Sequence, residues 1–389
     1  MKRPTLEVAD IIRVAGDSFI EKNRTHLAWP QLKVLRAIRD CRTAALGGHL
    51  DRCSRCGHQA ISYNSCRNRH CPKCQTNARD EWLAKRSEDL LDVPYFHVVF
   101  TVPHDLSPLM LQNKKALYAL LFRTSAETLL EIAADPKHLG ARIGFLSVLH
   151  TWGQNLQHHP HVHCVVPAGG IAPDGSSWVR RSSGFFLPVR VLSKVFRGKF
   201  VAGLKRLFRR GDLRFHGRLS GLADARTFRR FLRQLFRQNW VVYSKRPFGG
   251  PEHVLQYLAR YTHRVAISNH RLVEFKDGLV TFRWKDYAAG NRKRVMTVRS
   301  DEFLRRFLLH VLPRGFVRIR HFGFLTNRSR AVLVPLCRQL VSEMQREPAP
   351  GANCTGSSTE WLCPRCAGPM IVVDRLTAQQ IRSTFFDSS

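Results

Sequence analysis

Acidic residues are scarce in this 389-residue chain: 29 Asp and Glu stand against 63 Lys and Arg, a formal net charge of +34. Such an imbalance repels itself, and a polyanionic partner would relieve it. No run of 18 apolar residues occurs, which excludes an ordinary transmembrane helix. Residues 1–25 carry acids every few positions and lack the apolar core of a signal peptide. There is no GxxxxGK(S/T) phosphate loop, so no nucleotide-driven motor is expected. No fixed-period repeat is present, which argues against a solenoid. What is present suffices for a core: 44% of residues are apolar, and the length suits two or three domains. Nucleic acid is the leading partner, and no membrane role is expected.

Helices are expected over 6–22, 30–46, 112–134, 251–262, 301–312 and 328–345, with a polar helix over 78–91. Strands are expected at 95–103, 142–151, 161–167, 240–244 and 271–284. Between Arg180 and Arg246 the character changes, with 19 Lys or Arg and only two acids, Asp212 and Asp224. Phenylalanine and leucine interleave there at helical spacing, as in KVFRGKFVAGLKRLFRR (194–210) and TFRRFLRQLFRQNW (227–240). Each segment reads as a helix with one buried face and one cationic face. The cationic faces carry Lys205, Arg206, Arg209, Arg210, Arg229, Arg230, Arg233 and Arg237. With compensating acids nearly absent, they read as a grip on a phosphate backbone rather than a solvated surface.

The eleven cysteines are clustered rather than paired across the chain. CxxC spacing and an odd total argue for metal thiolates in a reducing compartment, not disulfides. Cys53-x-x-Cys56 and Cys71-x-x-Cys74 form two knuckles separated by 14 residues, and two knuckles complete a zinc tetrahedron. Cys66, His58 and His70 lie in or beside the loop, and any of them could replace a ligand or bind a second ion. Cys363 and Cys366 form another knuckle with no neighbouring pair, a candidate for a second zinc. The Arg- and Asn-rich surroundings of the first cluster suit a zinc ribbon that contacts DNA.

HHPHVHCVV (158–166) places His161 and His163 two apart on a strand, so both imidazoles emerge on one face. Two neutral nitrogen ligands with open positions suit a divalent metal acting as Lewis acid on a phosphate. In isolation such a pair reads more readily as two ordinary strand histidines. Gln154, seven residues earlier, is a candidate third ligand. In PEHVLQYLARYTHR (251–264), Tyr257 and Tyr261 fall four apart on one helical face. Such a pair alone also reads as packing. Arg260, Arg264 and His263 surround it with positive charge that favours phenolate and attracts phosphate.

Taken together, YNSCRNRHCPKCQ (63–75), FHVVFTVP (96–103), TWGQNLQHHPHVHCVVPAGG (151–170), YLARYTHRVAISNHRL (257–272) and LPRGFVRIRHFGFL (312–325) resemble the two-tyrosine HUH transposases of insertion-sequence family 91. The resemblance covers most of the chain. It implies an α+β fold with a ferredoxin-like antiparallel nuclease core, an N-terminal helical and zinc-ribbon region, and a basic helical insertion. It implies Mg or Mn at His161 and His163, with Tyr257 and Tyr261 cutting single-stranded DNA at transposon ends. That cut would leave a 5′-phosphotyrosine and a free 3′-OH in a rolling-circle route. The expected domains are 1–48 (helical), 49–92 (zinc ribbon), 93–290 (nuclease, with the basic insertion at about 180–246), 291–346 (C-terminal helical part) and 347–389 (linker, knuckle and tail). A cytoplasmic, nucleoid-associated protein is expected, with strand separation left to host helicase or replication machinery. The rival readings are a replication initiator or relaxase with the same chemistry, and a zinc-ribbon regulator that binds without cutting. An Asp/Asp/Glu transposase is disfavoured because acids are so few.

Overall fold

The computed structural model describes residues 4–74, 88–180, 187–248, 266–286, 289–290, 292–345 and 362–384. The chain divides into two compact units, one of residues 1–78, 267–311 and 348–389 and one of residues 79–266 and 312–347. The fold is mixed α+β, and every paired strand is antiparallel to its neighbour.

In the first unit, helices Val8–Lys22 and Trp29–Arg39 bury Ile11, Ile12, Phe19, Leu35 and Ile38. The second ends earlier than its apolar spacing predicts, and a strand begins at Gly48. Strand Gly48–Cys53 lies between Gln59–Tyr63 and the distant C-terminal strand Met370–Leu376. The predicted strand 271–284 is a hairpin, Leu272–Lys276 and Leu279–Asp286, and a third strand, Arg292–Arg299, extends it. Asp277 and Gly278 make the turn with φ of 51° and 72°, the left-handed pair that an Asp-Gly hairpin requires. Helix Ser300–Leu309 follows, Lys22 pairs with its Asp301 at 3.2 Å, and the Val8 amide donates to Asn269 Oδ1 at 3.2 Å.

The second unit is built on a five-stranded sheet in the order Ile319–Gly323, Gly144–Trp152, His158–Pro167, Tyr95–Thr101, Val242–Phe248. Side chains alternate between faces along each strand. On one face Phe96, Val98, Phe100, Val162, Cys164, Val166, Phe145 and Leu149 join the main core. Helices Lys114–Ala134 and Val189–Arg209 contribute Leu117, Leu121, Phe196 and Phe200 to it. On the other face Leu146, Val148 and Val165 pack with Phe324 and helix Arg330–Met344. The predicted helices 78–91 and 251–262 lie wholly or mostly outside the described residues.

Close packing fixes the basic helices by their apolar sides. Phe200 is fully buried, its ring centroid 5.9 Å from Phe196 and 5.2 Å from Trp240. Gly203 lies against Leu120 with no room for a Cβ, which lets Val189–Arg209 approach Lys114–Ala134 closely. Trp240 is held by its indole N–H, which donates to the Leu235 carbonyl at 2.9 Å. Phe200→Ala should therefore cost about 3–5 kcal/mol of unfolding free energy. Urea unfolding followed by tryptophan fluorescence measures it; a loss under about 1 kcal/mol would show that this aromatic cluster does not hold the helix.

Candidate metal centres and nucleic-acid interface

The histidine-rich strand sorts its side chains by parity. His158 points to the main core, where its Nδ1 lies 2.6 Å from Ser107 Oγ and its Nε2 lies 2.8 Å from Tyr118 Oη. It is a structural histidine. On the opposite face are His161 and His163, and His150 faces His161 directly across the neighbouring strand. The ring centroids are 4.2 Å apart for His150–His163, 4.8 Å for His161–His163 and 5.4 Å for His150–His161. One nitrogen from each of the three rings falls within 4.8 Å of the others, an arrangement that can hold a metal ion.

The third histidine, His150, is absent from the sequence-based set. Its signal lies in the turn: Gly153–Gln157 closes a tight hairpin, with the Gly153 amide donating to the Gln157 carbonyl at 2.9 Å. Folding VLHTW back on HHPHVH about that turn, with the bulge between His150 and Trp152, sets His150 beside His161. Gln154 is half-buried in that turn.

Two neighbours orient the rings. His161 Nδ1 is 2.6 Å from the His159 carbonyl, which can only accept, so the proton is on Nδ1 and the lone pair on Nε2. His97 Nε2 is 2.7 Å from His163 Nδ1, with the two rings stacked at 4.9 Å. Occupying Nδ1 in this way leaves Nε2 as the nitrogen that would take a metal. Burial, and then the neighbouring His159, push the His161 imidazole down to about 3. Burial and the charges of His150, His161 and His97 hold His163 well below its ordinary value. Both rings are therefore neutral near pH 7, the protonation state that ligates metal.

The cysteines are grouped differently from the sequence-based expectation. Cys53 and Cys56 are not brought together with Cys71 and Cys74. Instead Cys41, Cys66, Cys71 and Cys74 form one four-thiol group, and Cys53, Cys56, Cys363 and Cys366 form another. In the first group Sγ–Sγ distances are 3.4 Å for Cys41–Cys74 and 3.5 Å for Cys66–Cys74. Cys66, expected as a reserve ligand, is a full member, and Cys41, absent from the sequence-based set, completes it. Its own signal is weak, since it stands alone at the end of a helix and 25 residues from the next member. Hydrogen bonds from Cys41, Cys66 and Cys71 hold the Cys74 thiol far below its ordinary value, while the same neighbourhood pushes Cys71 up. Four thiolates this close repel one another unless a cation lies among them. Of the other reserve ligands, His70 is buried with Nδ1 3.1 Å from Asn68 Oδ1.

Helices Val189–Arg209 and Ala225–Arg237 display their charges as expected. Lys205, Arg206, Arg209, Arg229, Arg230, Arg233 and Arg237 are exposed, as is Arg210 at the helix end. Acid partners are few, Arg210–Asp212 at 3.2 Å being one. Tyr257, Tyr261, Arg260 and Arg264 lie outside the described residues. Among the described residues no helix is long and apolar enough to cross a membrane.

Comparison with known proteins joins these features. Residues 11–102 match the family model "Transposase zinc-binding domain", and residues 144–332 match "Putative transposase". The chain is 53% identical over 387 residues to "Putative transposase y4qJ" of Sinorhizobium fredii, with 96% of each protein covered. It is also 30% identical over 317 residues to "Transposase for insertion sequence element IS801" of Pseudomonas savastanoi pv. phaseolicola, covering 80% of this chain and 74% of that protein. The chain belongs to the insertion-sequence 91 family of transposases. The zinc-binding match spans Cys41, Cys53, Cys56, Cys66, Cys71 and Cys74, and the four-thiol geometry fits structural zinc in this transposase. The second match spans His150, His161 and His163. No solved structure matches the chain.

Acid should loosen the histidine face of the metal-free transposase. The folded His161 pKa lies below the unfolded value near 6.5, so unfolding takes up a proton between about pH 6.5 and pH 3. The contribution is complete above that window and is lost as the pH falls through it, by about 1.4 kcal/mol per pH unit for this residue. Urea unfolding in chelator at pH 7.5 and pH 5 should show a smaller pH effect in His161→Gln than in wild type. Equal pH effects in the two proteins would refute the neutral, buried imidazole.

Proposed function

We propose that this transposase cleaves and rejoins single-stranded DNA at transposon ends through a 5′-phosphotyrosine link. The observation that carries the reading is the His150–His161–His163 group on an antiparallel sheet, with His161 and His163 held neutral, inside the segment matched to a transposase family. The same segment contains Tyr257 and Tyr261. In the reaction the phenol oxygen of one tyrosine bonds to phosphorus and the P–O3′ bond breaks. The phenolic proton goes to the leaving 3′ oxygen, and a 3′-OH is released. Because one ester replaces another, rejoining by the reverse attack needs no nucleotide energy, consistent with a chain that lacks a phosphate loop. The second tyrosine accepts another strand while the first remains occupied.

His150, His161 and His163, with Gln154 beyond them in the turn, would hold the divalent ion, and Mg or Mn there would polarise the scissile phosphate. Three imidazoles favour Mn over Mg, since Mg prefers oxygen ligands. The His159 carbonyl and His97 keep the His161 and His163 rings aimed, and burial keeps those two unprotonated. Arg260 and Arg264, flanking the tyrosines, attract the phosphate and favour phenolate. Single-stranded DNA at the ends and the target is the partner, with host helicase or replication machinery opening the duplex and the protein resident on the nucleoid. The sequence recognised and the order in which the tyrosines act are set by the DNA complex.

Labelled single-stranded DNA carrying the element's own end, incubated with Mn or Mg and run on a denaturing gel, tests the reading. Wild type should give a detergent-stable protein–DNA adduct, more with Mn than with Mg. His150→Ala should lose it nearly completely at limiting metal, and Tyr257→Phe and Tyr261→Phe should weaken or abolish it. Tight binding without an adduct on any end sequence would replace this reading with that of a zinc-ribbon regulator.

Binding itself should be salt-sensitive through the basic helices. Removing one cation from a phosphate lowers the log–log salt slope by about 0.7 on single strands. Reversing the charge of Arg206, Arg209, Arg230 and Arg233 should flatten the slope while a saturating short oligonucleotide is still cut. An unchanged slope would count against these helices as the backbone grip.

A further inference from the structure

The C-terminal knuckle lies beyond the zinc-binding match, which ends at residue 102. It nevertheless meets Cys53 and Cys56, more than 300 positions away in the chain. Sγ of Cys53 is 3.5 Å from that of Cys366, and Sγ of Cys56 is 3.5 Å from that of Cys363. All four sulfurs fall within 4.8 Å of one another. Zn–S bonds of 2.3 Å in a tetrahedron place the sulfurs about 3.8 Å apart, so the observed spacing is that of a thiolate cage. Disulfide sulfurs would be about 2 Å apart.

The two knuckles have one backbone design. In the first, the Cys53 amide donates to the His58 carbonyl at 2.8 Å and the Gly57 amide to the Cys53 carbonyl at 3.0 Å. In the second, the Cys363 amide donates to the Gly368 carbonyl at 2.8 Å and the Ala367 amide to the Cys363 carbonyl at 2.9 Å. The residue after the second cysteine is left-handed in both, with φ of 71° at Gly57 and 54° at Ala367. Ala367 has no glycine freedom there, so the turn is held in spite of a local cost. A Cβ at Gly368 would lie 2.8 Å from the Arg55 Cβ and 3.3 Å from the sulfurs of both Cys53 and Cys366, so glycine lets this backbone pass close to the first knuckle and the cage. The knuckles are joined by the Ser54 amide, which donates to the Pro369 carbonyl at 3.1 Å. Directly after, strand Met370–Leu376 pairs with Gly48–Cys53.

We propose that Cys53, Cys56, Cys363 and Cys366 bind a second structural zinc ion, separate from that at Cys41, Cys66, Cys71 and Cys74, which fastens the C-terminal segment into the N-terminal sheet. The need for such a fastening is visible in the strand it holds. Ile371, Val372 and Val373 are all substantially exposed, so Met370–Leu376 gains little from apolar burial. Its attachment closes a loop of some 300 residues, for which backbone pairing alone supplies little stabilisation. Thiolate–zinc bonds supply it directly, because ligation free energy in such sites is folding free energy.

Zinc counting on the purified full-length chain tests the proposal. Elemental analysis should find two zinc ions per chain in wild type. The pair Cys363→Ser/Cys366→Ser should keep one, and so should Cys71→Ser/Cys74→Ser. Limited proteolysis should release the C-terminal segment at least tenfold faster from Cys363→Ser/Cys366→Ser, and Cys366→His should restore both the second zinc and the protection. One zinc per chain in wild type would overturn the proposal whatever the variants do. A zinc count unchanged between wild type and Cys363→Ser/Cys366→Ser would overturn it as well, as would oxidised, metal-free thiols at these four positions. None of these readouts depends on DNA cleavage, so failure of the transposition chemistry and failure of this site are separate results.

Discussion

Strand parity at His158–Pro167 is the constraint on which the second unit depends. Side chains of one parity, Val162, Cys164 and Val166, are fully buried in the main core, and their burial leaves the strand no freedom to slip by one residue. A slip would carry His161 and His163 into that core and the valines out of it. The hydrophobic effect thus fixes the histidines without touching them. His158, anchored by Ser107 and Tyr118, marks the point from which the alternation is counted.

A second consequence follows from burial on the histidine face. Rings 4–5 Å apart cannot all be protonated, and desolvation penalises protonation of any one of them. His161 and His163 are therefore uncharged near neutral pH within a chain of net charge +34. The basic residues are kept on other elements, with Lys205, Arg206, Arg229 and Arg233 on the outer faces of two helices. The cationic surface and the imidazole group are thus kept on separate elements of one unit.

Local chemistry was legible in the sequence, and its long-range completion was not. The HxH pair, the amphipathic basic helices and the CxxC knuckles each follow from spacing within a few residues, and the structure shows each as a local feature. The partners that complete them come from elsewhere. His150 needed the hairpin register across Gly153–Gln157, including a bulge that shifts the count by one. Cys41 needed a helix end placed beside a loop, and Cys363 and Cys366 needed a strand pairing more than 300 residues apart. Pairing Cys53 and Cys56 with the nearest knuckle, Cys71 and Cys74, is sound on loop-closure entropy alone. It fails because strand pairing places a more distant knuckle nearer in space. The hairpin at Asp277-Gly278 differs in kind: its turn residues are a strong local signal within the expected strand 271–284.

The two cysteine groups show how chain ends can be made structural without a large core. Cys41 and Cys71 are wholly buried, whereas Cys56 is exposed and Cys366 only half-buried, so the groups occupy different dielectric settings. The buried group has an ion pair close by, Lys73 with Glu7 at 2.5 Å, both largely shielded from water, which tethers the knuckle to the start of the first helix. The more exposed group has backbone pairing on both sides and Arg55 reaching the Cys366 carbonyl at 3.4 Å. A thiolate cage carries surplus negative charge, and in so basic a chain that charge is a benefit: it draws nearby cations inward and lowers the self-repulsion that +34 imposes. Metal thiolate clusters thus supply two things this sequence has little of, negative charge and long-range cross-links.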